Sequence, residues 1–314
     1  MPVSPRQEFA RLRAFGRDRA KFLHNFCTNN IRDLIPGTAC EAFFTDVKAR
    51  ILAHGYVLAL EHFHEIWLLP GDSEALLKHL TRYVITEDVR FELVSSSCNS
   101  ITVACTPMAI VGIGSELAGV SDQPLHCFTQ SIGLADGKSF GITGLCFAWA
   151  DRPLNVVCGE SEFIEPFAAR LAERGILPIS ADEFDQLRIE ERFPLVGLDI
   201  LLENLAPEAE RNAASISYTK GCYLGQEPIA RLDAMGHINR ALRIVELECS
   251  CLPETIVGSS LQTSEGAVIG TITSAYRVSP TVLKGLAMVR LSLAGGSLHV
   301  LLSSGDQLTA KVLP

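Results

Sequence analysis

The sequence predicts an α+β chain that closes with a small antiparallel β-barrel. Strand-like and helix-like runs alternate as far as about residue 240, and after Ala241 helical periodicity nearly vanishes. The chain has 314 residues, of which 47% are hydrophobic and 20% charged, enough apolar material for about two domains. A boundary near residue 240 therefore separates a larger domain, residues 1–240, from a barrel of residues 241–314.

The elements follow in order. Ser4 fits a helix N-cap, Pro5 the first helical position and Gln7 a capping box, so a helix is expected through Phe9, Leu12 and Phe15 to Gly16. A second helix follows Asp18, with Phe22, Leu23 and Phe26 on one face. Two strands, Glu41 to Thr45 and Arg50 to Leu60, form a hairpin about Asp46-Val-Lys-Ala49, and Glu65 to Leu69 is a third strand. Asp72 or Ser73 caps a helix through Leu76, Leu77, Leu80 and Val84. Strands dominate from Val89 to Val157, with glycine breaks between Val111 and Gly119. A strand at Leu154 to Cys158 leads into a helix from Glu160 to Glu173, stopped by Gly175, and the recurrence of strand–helix units suggests two similar halves. A capping box at Ser180 and Glu183 opens a helix carrying Phe184, Leu187, Ile189 and Phe193. The barrel strands are expected at Arg243 to Glu248, Ala267 to Ser274, Leu286 to Leu291, Ser297 to Leu302 and Leu308 to Leu313.

Charge narrows the functions. There are 36 acidic residues against 27 Lys and Arg, a net charge of -9, which argues against bulk nucleic-acid binding by phosphate neutralisation. No apolar run approaches the roughly 20 residues of a membrane helix, and Met1 to Phe15 has no signal-peptide core. A cytoplasmic protein without a membrane partner is expected. Its ten cysteines include no C-x-x-C pair, so no metal site is expected from them, and most read as small buried hydrophobes kept reduced. Cys249-Ser-Cys251 reads as incidental. His62 and His64 have the spacing of one strand face, read as an exposed strand edge rather than a metal site because a third ligand is lacking. P-loop and H-E-x-x-H motifs are absent, and Gly112-Ile-Gly114 carries no argument.

The most informative segment is Lys220-Gly-Cys-Tyr-Leu-Gly-Gln-Glu227. A helix is expected from Gln226 to Ala234, with Gly236 past its end. The positive end of that helix and the cation of Lys220 both favour thiolate at Cys222, and the glycines let another molecule approach closely. The alternative is a buried loop cysteine beside a tight turn.

This K-G-C-Y-x-G-Q-E string, continued by Ala230-Arg231 and by Gly236-His-Ile-Asn-Arg240, resembles the signature of the YgfZ-type folate-binding proteins. The wider superfamily is that of the glycine cleavage T protein, an aminomethyltransferase. The resemblance extends over nearly the whole chain, through Gly16-Arg-Asp-Arg-Ala-Lys-Phe-Leu23 with Thr28-Asn29 and Pro36-Gly37, and through Lys48-Ala-Arg-Ile-Leu52. It continues in Leu187-Arg-Ile-Glu190 with Pro194 and Gly197-Leu-Asp199, and in Thr271-Ile-Thr-Ser274 with Ser279-Pro280.

The resemblance implies a ring of α+β subdomains around a central folate channel, with the C-terminal barrel alongside. It implies tetrahydrofolate or a derivative as cofactor and iron–sulfur proteins as clients. Glu190 is the residue it places against the pterin, where a carboxylate can accept two hydrogen bonds from adjacent donors; read without it, Glu190 lies on the solvated face of an acidic helix. Tyr223, Gln226 and Arg231 fall within the signature as further folate-binding residues, and Cys222 with Lys220 as the functional pair.

The T protein's carboxylate pair after the K-G-R-I-L strand is replaced here by Ala53 and His54. Alanine cannot transfer a proton, while a cysteine stands at 222 where the resemblance implies the T protein has none. The sequence thus favours a tetrahydrofolate-binding accessory protein for iron–sulfur cluster assembly or repair with Cys222 as its thiol. A methyl or aminomethyl transferase using His54 as base, and a ligand-sensing module without chemistry, are the alternatives. Ala49 stands where the family has glycine, and the stretch from Asn204 to Lys220 is unusually charged, with Glu208, Glu210 and Arg211.

Overall fold

The computed structural model describes residues 9–69, 72–94, 98–105, 125–133, 139–236, 238–248, 256–302 and 305–313. The chain divides into two compact units. The first comprises Met1–Phe44, Ala53–Ala181 and Ala214–Leu224; the second comprises Thr45–Leu52, Asp182–Ala213 and Gly225–Pro314.

The first unit holds two antiparallel sheets. One has five strands in the order β2-β3-β4-β1-β5: β1 (Ala10–Phe15), β2 (Ala39–Thr45), β3 (Ile51–Ala59), β4 (His64–Leu68) and β5 (Arg90–Leu93). The tip of the β2–β3 hairpin belongs to the second unit. Helices α1 (Arg19–Phe26) and α2 (Ser73–Thr81) lie in the same stretch of chain. The core there joins Leu12, Ala14, Phe22, Leu23, Phe44, Val57, Ile66, Leu76 and Leu80. Asp72 caps α2 as expected, its side chain accepting from Ala75 N at 2.8 Å.

The other sheet has the order β6-β9-β8-β7: β6 (Cys98–Val103), β7 (His126–Gly133), β8 (Ser139–Trp149) and β9 (Arg152–Glu160). Helix α3 (Ser161–Ala172) follows, and its Ile164, Phe167 and Leu171 join Ile101, Val103 and Val157 in one core.

The first helix expected from the sequence is instead strand β1. Its period of two governs: Leu12 and Ala14 enter the core, while Arg11 and Arg13 share the opposite face. Arg13 lies opposite Glu65 on β4 and donates Nε to its carboxylate at 3.1 Å; Arg11 donates to the same fully buried group, as does Trp67 Nε1 at 3.0 Å. Alternating arginines facing one buried carboxylate make a strand of what reads as an amphipathic helix. The proposed capping residues Ser4 to Gln7, Gly112-Ile-Gly114 and Cys249-Ser-Cys251 lie outside the described residues.

The second unit contains all but the first residue of α4 (Ala181–Glu190), a 3-10 turn at Ala206–Ala209, the first half of the short α5 (Asn212–Ser215), α6 (Gln226–Met235) and a closed barrel. The barrel strands are β10 (Arg240–Glu248), β11 (Ser260–Thr263), β12 (Val268–Ser279), β13 (Val282–Arg290), β14 (Leu298–Leu301) and β15 (Gln307–Val312). They run in the order β10-β13-β12-β11-β14-β15, and β15 pairs back on β10. Val245, Leu247, Leu261, Ile272, Ala287, Val289 and Val300 fill the interior. Strand β11 escapes a sequence reading because it is four residues long and three of them, Ser260, Gln262 and Thr263, are polar.

Candidate functional site

The signature loop is built on the start of the chain. Lys220 is buried, and its ammonium donates to the carbonyls of His24 at 2.5 Å, Cys27 at 2.8 Å and Asn29 at 2.6 Å. Three protons meet three acceptors. The cation thereby closes the carbonyl end of α1, where the helix dipole favours positive charge. Burial is the main cause holding its pKa below the ordinary lysine value, partly offset by Cys27 and Cys40. The sulfur within its reach is that of Cys27, at 4.0 Å.

Thr28 and Asn29 complete the clasp. Thr28 Oγ1 donates to Ser215 O at 2.6 Å and accepts from Phe43 N at 2.9 Å, while Asn29 Nδ2 donates to Glu41 O at 2.8 Å and Ala214 O at 2.9 Å. Tyr223 is buried beneath the lysine, its ring 4.8 Å from Nζ, and burial pushes its hydroxyl pKa well up. Cys222 stands between these two buried neighbours and is itself exposed. The other described free cysteines (27, 40, 105, 127, 146 and 158) are buried or half-buried. Burial drives the thiols of Cys27 and Cys40 upward and that of Cys127 to about 12, so these sulfurs remain protonated.

Glu190 belongs to the second unit. It ends α4, is half-buried, and its Oε1 accepts from Tyr276 Oη at 2.6 Å and from Gln186 Nε2 at 3.4 Å. No described residue bonds its Oε2. Burial, then Glu190 itself, raises the Tyr276 hydroxyl pKa well above the ordinary tyrosine value.

The pair is positioned by a buried network two residues back on each element. Fully buried Arg188 donates Nη2 to Ser274 Oγ at 2.9 Å, Nη1 to Asp199 Oδ2 at 2.7 Å and to Phe193 O at 3.1 Å, and Nε to Asp185 at 3.1 Å. Asp199 Oδ1 accepts from Thr273 Oγ1 at 2.7 Å and Ser274 Oγ at 2.6 Å. Arg188, Asp199 and Ser274, from the R-x-E, G-x-D and T-S segments of the sequence, thus form one polar core in which Arg188 is paired with Asp199 and Asp185. Tyr276 was not among the expected site residues; it lies two residues beyond Ser274 in strand alternation.

Gln226 and Arg231 lie on α6, Gln226 half-buried at its first turn and Arg231 exposed. The helix begins at Gly225, φ +83°, where a Cβ would stand 2.6 Å from Asp46 O and 2.7 Å from Thr45 Oγ1. Glycine is therefore required by both conformation and space. The facing turn is held by Asp46 Oδ1, which accepts from Lys48 N at 2.8 Å and Arg50 N at 2.9 Å. Ala49 in that turn has φ +62°, the left-handed region, which accounts for a glycine there in the resembling family.

The charged stretch after Asn204 also finds partners within its unit. Glu208 accepts from Asn204, Leu205 N and Arg240; Glu210 pairs with Arg192 and Arg243; and Arg211 pairs with Glu191 at 2.8 Å.

Ala53 and His54 occupy β3. His54 is fully buried, with Nε2 2.8 Å from Glu41 Oε1 and its ring stacked on Phe43 at 4.3 Å. His62 and His64 do not share an exposed strand edge. His62 is exposed in the bend before β4, whereas His64 begins the strand, is buried, and accepts at Nδ1 from Arg19 Nε at 3.2 Å. Among the described residues no three His, Cys, Asp or Glu side chains are grouped to hold a metal ion. No described helix is long and apolar enough to cross a membrane.

No family model matches the chain. A chloroplastic protein of Arabidopsis thaliana that carries the name transferase is 27% identical over 85% of the chain, which spans 60% of that protein's length. The tRNA-modifying protein YgfZ of Colwellia psychrerythraea is 23% identical over 75% of the chain and 68% of its own length. The human mitochondrial iron–sulfur cluster assembly factor IBA57 is 26% identical over 94% of the chain and 79% of its own length. The fold matches the glycine cleavage system aminomethyltransferase T of Bartonella henselae with a TM-score of 0.78 at 14% identity, over 98% of this chain and 83% of that one. The chain is thus similar in sequence to YgfZ and to this assembly factor, and it shares the fold of the glycine cleavage system aminomethyltransferase T.

Proposed function

We propose that this chain is a tetrahydrofolate-binding accessory protein that supports iron–sulfur cluster assembly or repair, with Cys222 as its working thiol. The observation that carries the reading is the contrast among the sulfurs: Cys222 is exposed between buried Lys220 and Tyr223, whereas Cys27, Cys40, Cys127, Cys146 and Cys158 are buried and Cys105 is half-buried. Exposure is what transient ligation of a cluster or exchange with a client thiol requires.

The residues present suit a folate. A pterin offers ring N–H and amino donors, and Glu190 at the end of α4 keeps Oε2 without a partner among the described residues. Gln226 and Arg231 on α6 supply a polar amide and a cation for the remainder of the cofactor. When bound, the folate supplies or accepts a one-carbon unit; the chain's own part is to orient it and to present Cys222. In this reading residues 1–240 are the folate-binding domain and 241–314 the barrel, and the clients are iron–sulfur proteins, as the name of the human relative indicates for that protein.

The transferase alternative needs His54 as a base at a substrate. Its imidazole is sealed from solvent, held by Glu41 and covered by Phe43, which favours the accessory role.

Calorimetry with tetrahydrofolate tests the binding half: Glu190→Gln should weaken binding by about 1–3 kcal/mol, and unchanged affinity removes Glu190 from the site. Cys222→Ser should bind folate normally yet fail to restore iron–sulfur enzyme activity in cells lacking the protein. Full restoration discards the thiol.

A further inference from the structure

We infer that Tyr276 is a positioning residue for ligand recognition at Glu190. By holding Oε1, it leaves Oε2 and its own hydroxyl oxygen as paired acceptors for a heterocycle with adjacent N–H and amino donors. The assignment rests on the folate-binding reading above and goes beyond it by naming what selects the ring.

A tyrosine hydroxyl has one proton and two lone pairs. Tyr276 commits its proton to Glu190 Oε1 at 2.6 Å, so toward a ligand its oxygen can only accept. Gln186 adds a weaker donor to the same Oε1 at 3.4 Å. The Glu190–Tyr276 pair therefore offers acceptors and no donor. A ring with an amino group at the contact satisfies them; a ring with a carbonyl there sets oxygen against oxygen and covers acceptors that it leaves unpaired, the costlier mismatch.

The geometry is fixed from below. Arg188 bonds Ser274 two residues before Glu190 and Tyr276 respectively, and Asp199 ties both residues together. Lys284, opposite Tyr276 on β13, is engaged with Glu246 at 3.8 Å. With its pKa raised, the Tyr276 hydroxyl stays protonated at neutral pH and keeps donating to Glu190.

The test titrates wild type, Tyr276→Phe, Glu190→Gln and the double variant with tetrahydrofolate. It adds two head-group probes, pterin and lumazine, which differ in an amino or an oxo group at one ring carbon. Tyr276→Phe keeps the aromatic ring and should weaken tetrahydrofolate about 10-fold. The double variant should bind no more weakly than Glu190→Gln alone, because both changes break one unit. The preference for pterin over lumazine should shrink in Tyr276→Phe, a readout that mere loss of packing, which weakens both probes alike, does not move. Wild-type affinity in Tyr276→Phe, or equal loss of both probes, overturns the assignment while folate binding stands. If wild type itself does not bind tetrahydrofolate, the functional reading falls and the assignment with it. Should Tyr276→Phe not fold, Glu190→Gln carries the same comparison, and an unchanged pterin preference in it is equally decisive against the assignment.

Discussion

Arg188 and Asp199 are bonded Nη1 to Oδ2 at 2.7 Å with both side chains removed from solvent, and between them they reach α4, β12 and the turn at Leu195. Breaking one partner of such a pair strands a charge in a low-dielectric interior. Asp199→Asn should lower the unfolding free energy by about 3–5 kcal/mol in denaturant titration. Arg188→Lys should not rescue, since Arg188 serves four acceptors from three nitrogens and an ammonium has one.

Lys220 is expected to matter first for folding. Lys220→Met removes the donor shared by the carbonyls of His24, Cys27 and Asn29 and should cost about 2–4 kcal/mol, read as a lowered thermal midpoint. An unchanged midpoint would mean that water replaces the ammonium without loss.

The turn at Ala49 carries a conformation suited to glycine. Ala49→Gly should stabilise the protein by about 0.5–1 kcal/mol, the left-handed penalty less the extra freedom glycine gains when unfolded. Gly225→Ala should do the reverse and cost at least about 2 kcal/mol, because φ is +83° and the new methyl meets Asp46 O. Paired chemical denaturation curves measure both.

His64 predicts acid sensitivity. Burial, then Arg19, lowers its pKa from 6.5 to about 4 in the folded chain. Between those values the unfolded chain binds a proton that the folded chain refuses, so stability is full above pH 6.5 and is lost as pH falls toward 4. The loss attributable to this residue is on the order of 3 kcal/mol. His64→Gln should flatten the stability profile over that window, and an unaltered profile would assign the acid transition to other groups.

What the sequence disclosed depended on distance along the chain. Asp72 as a cap and Gly236 as a stop act within a few residues of themselves, and both stand as expected. Strand β1 misled because its apolar spacing satisfies a short helix as well as a strand, and the deciding partner, Glu65, lies 52 residues beyond Arg13. The site shows the same dependence. The sequence places Lys220 beside Cys222, but its acceptors include Asn29, 191 residues earlier. Tyr276 is 86 residues from Glu190, and nothing local marks it as that carboxylate's partner. Arg188, Asp199 and Ser274 stand in three separate motifs, and they bond one another only in the folded chain.

The closure of β15 onto β10 bears on how another chain could engage the barrel. A sheet wrapped on itself leaves no row of unsatisfied amides for an incoming segment to zip onto, so recruitment by strand addition is denied to this part of the molecule. Whatever grips the barrel must do so through its loops and outward side chains.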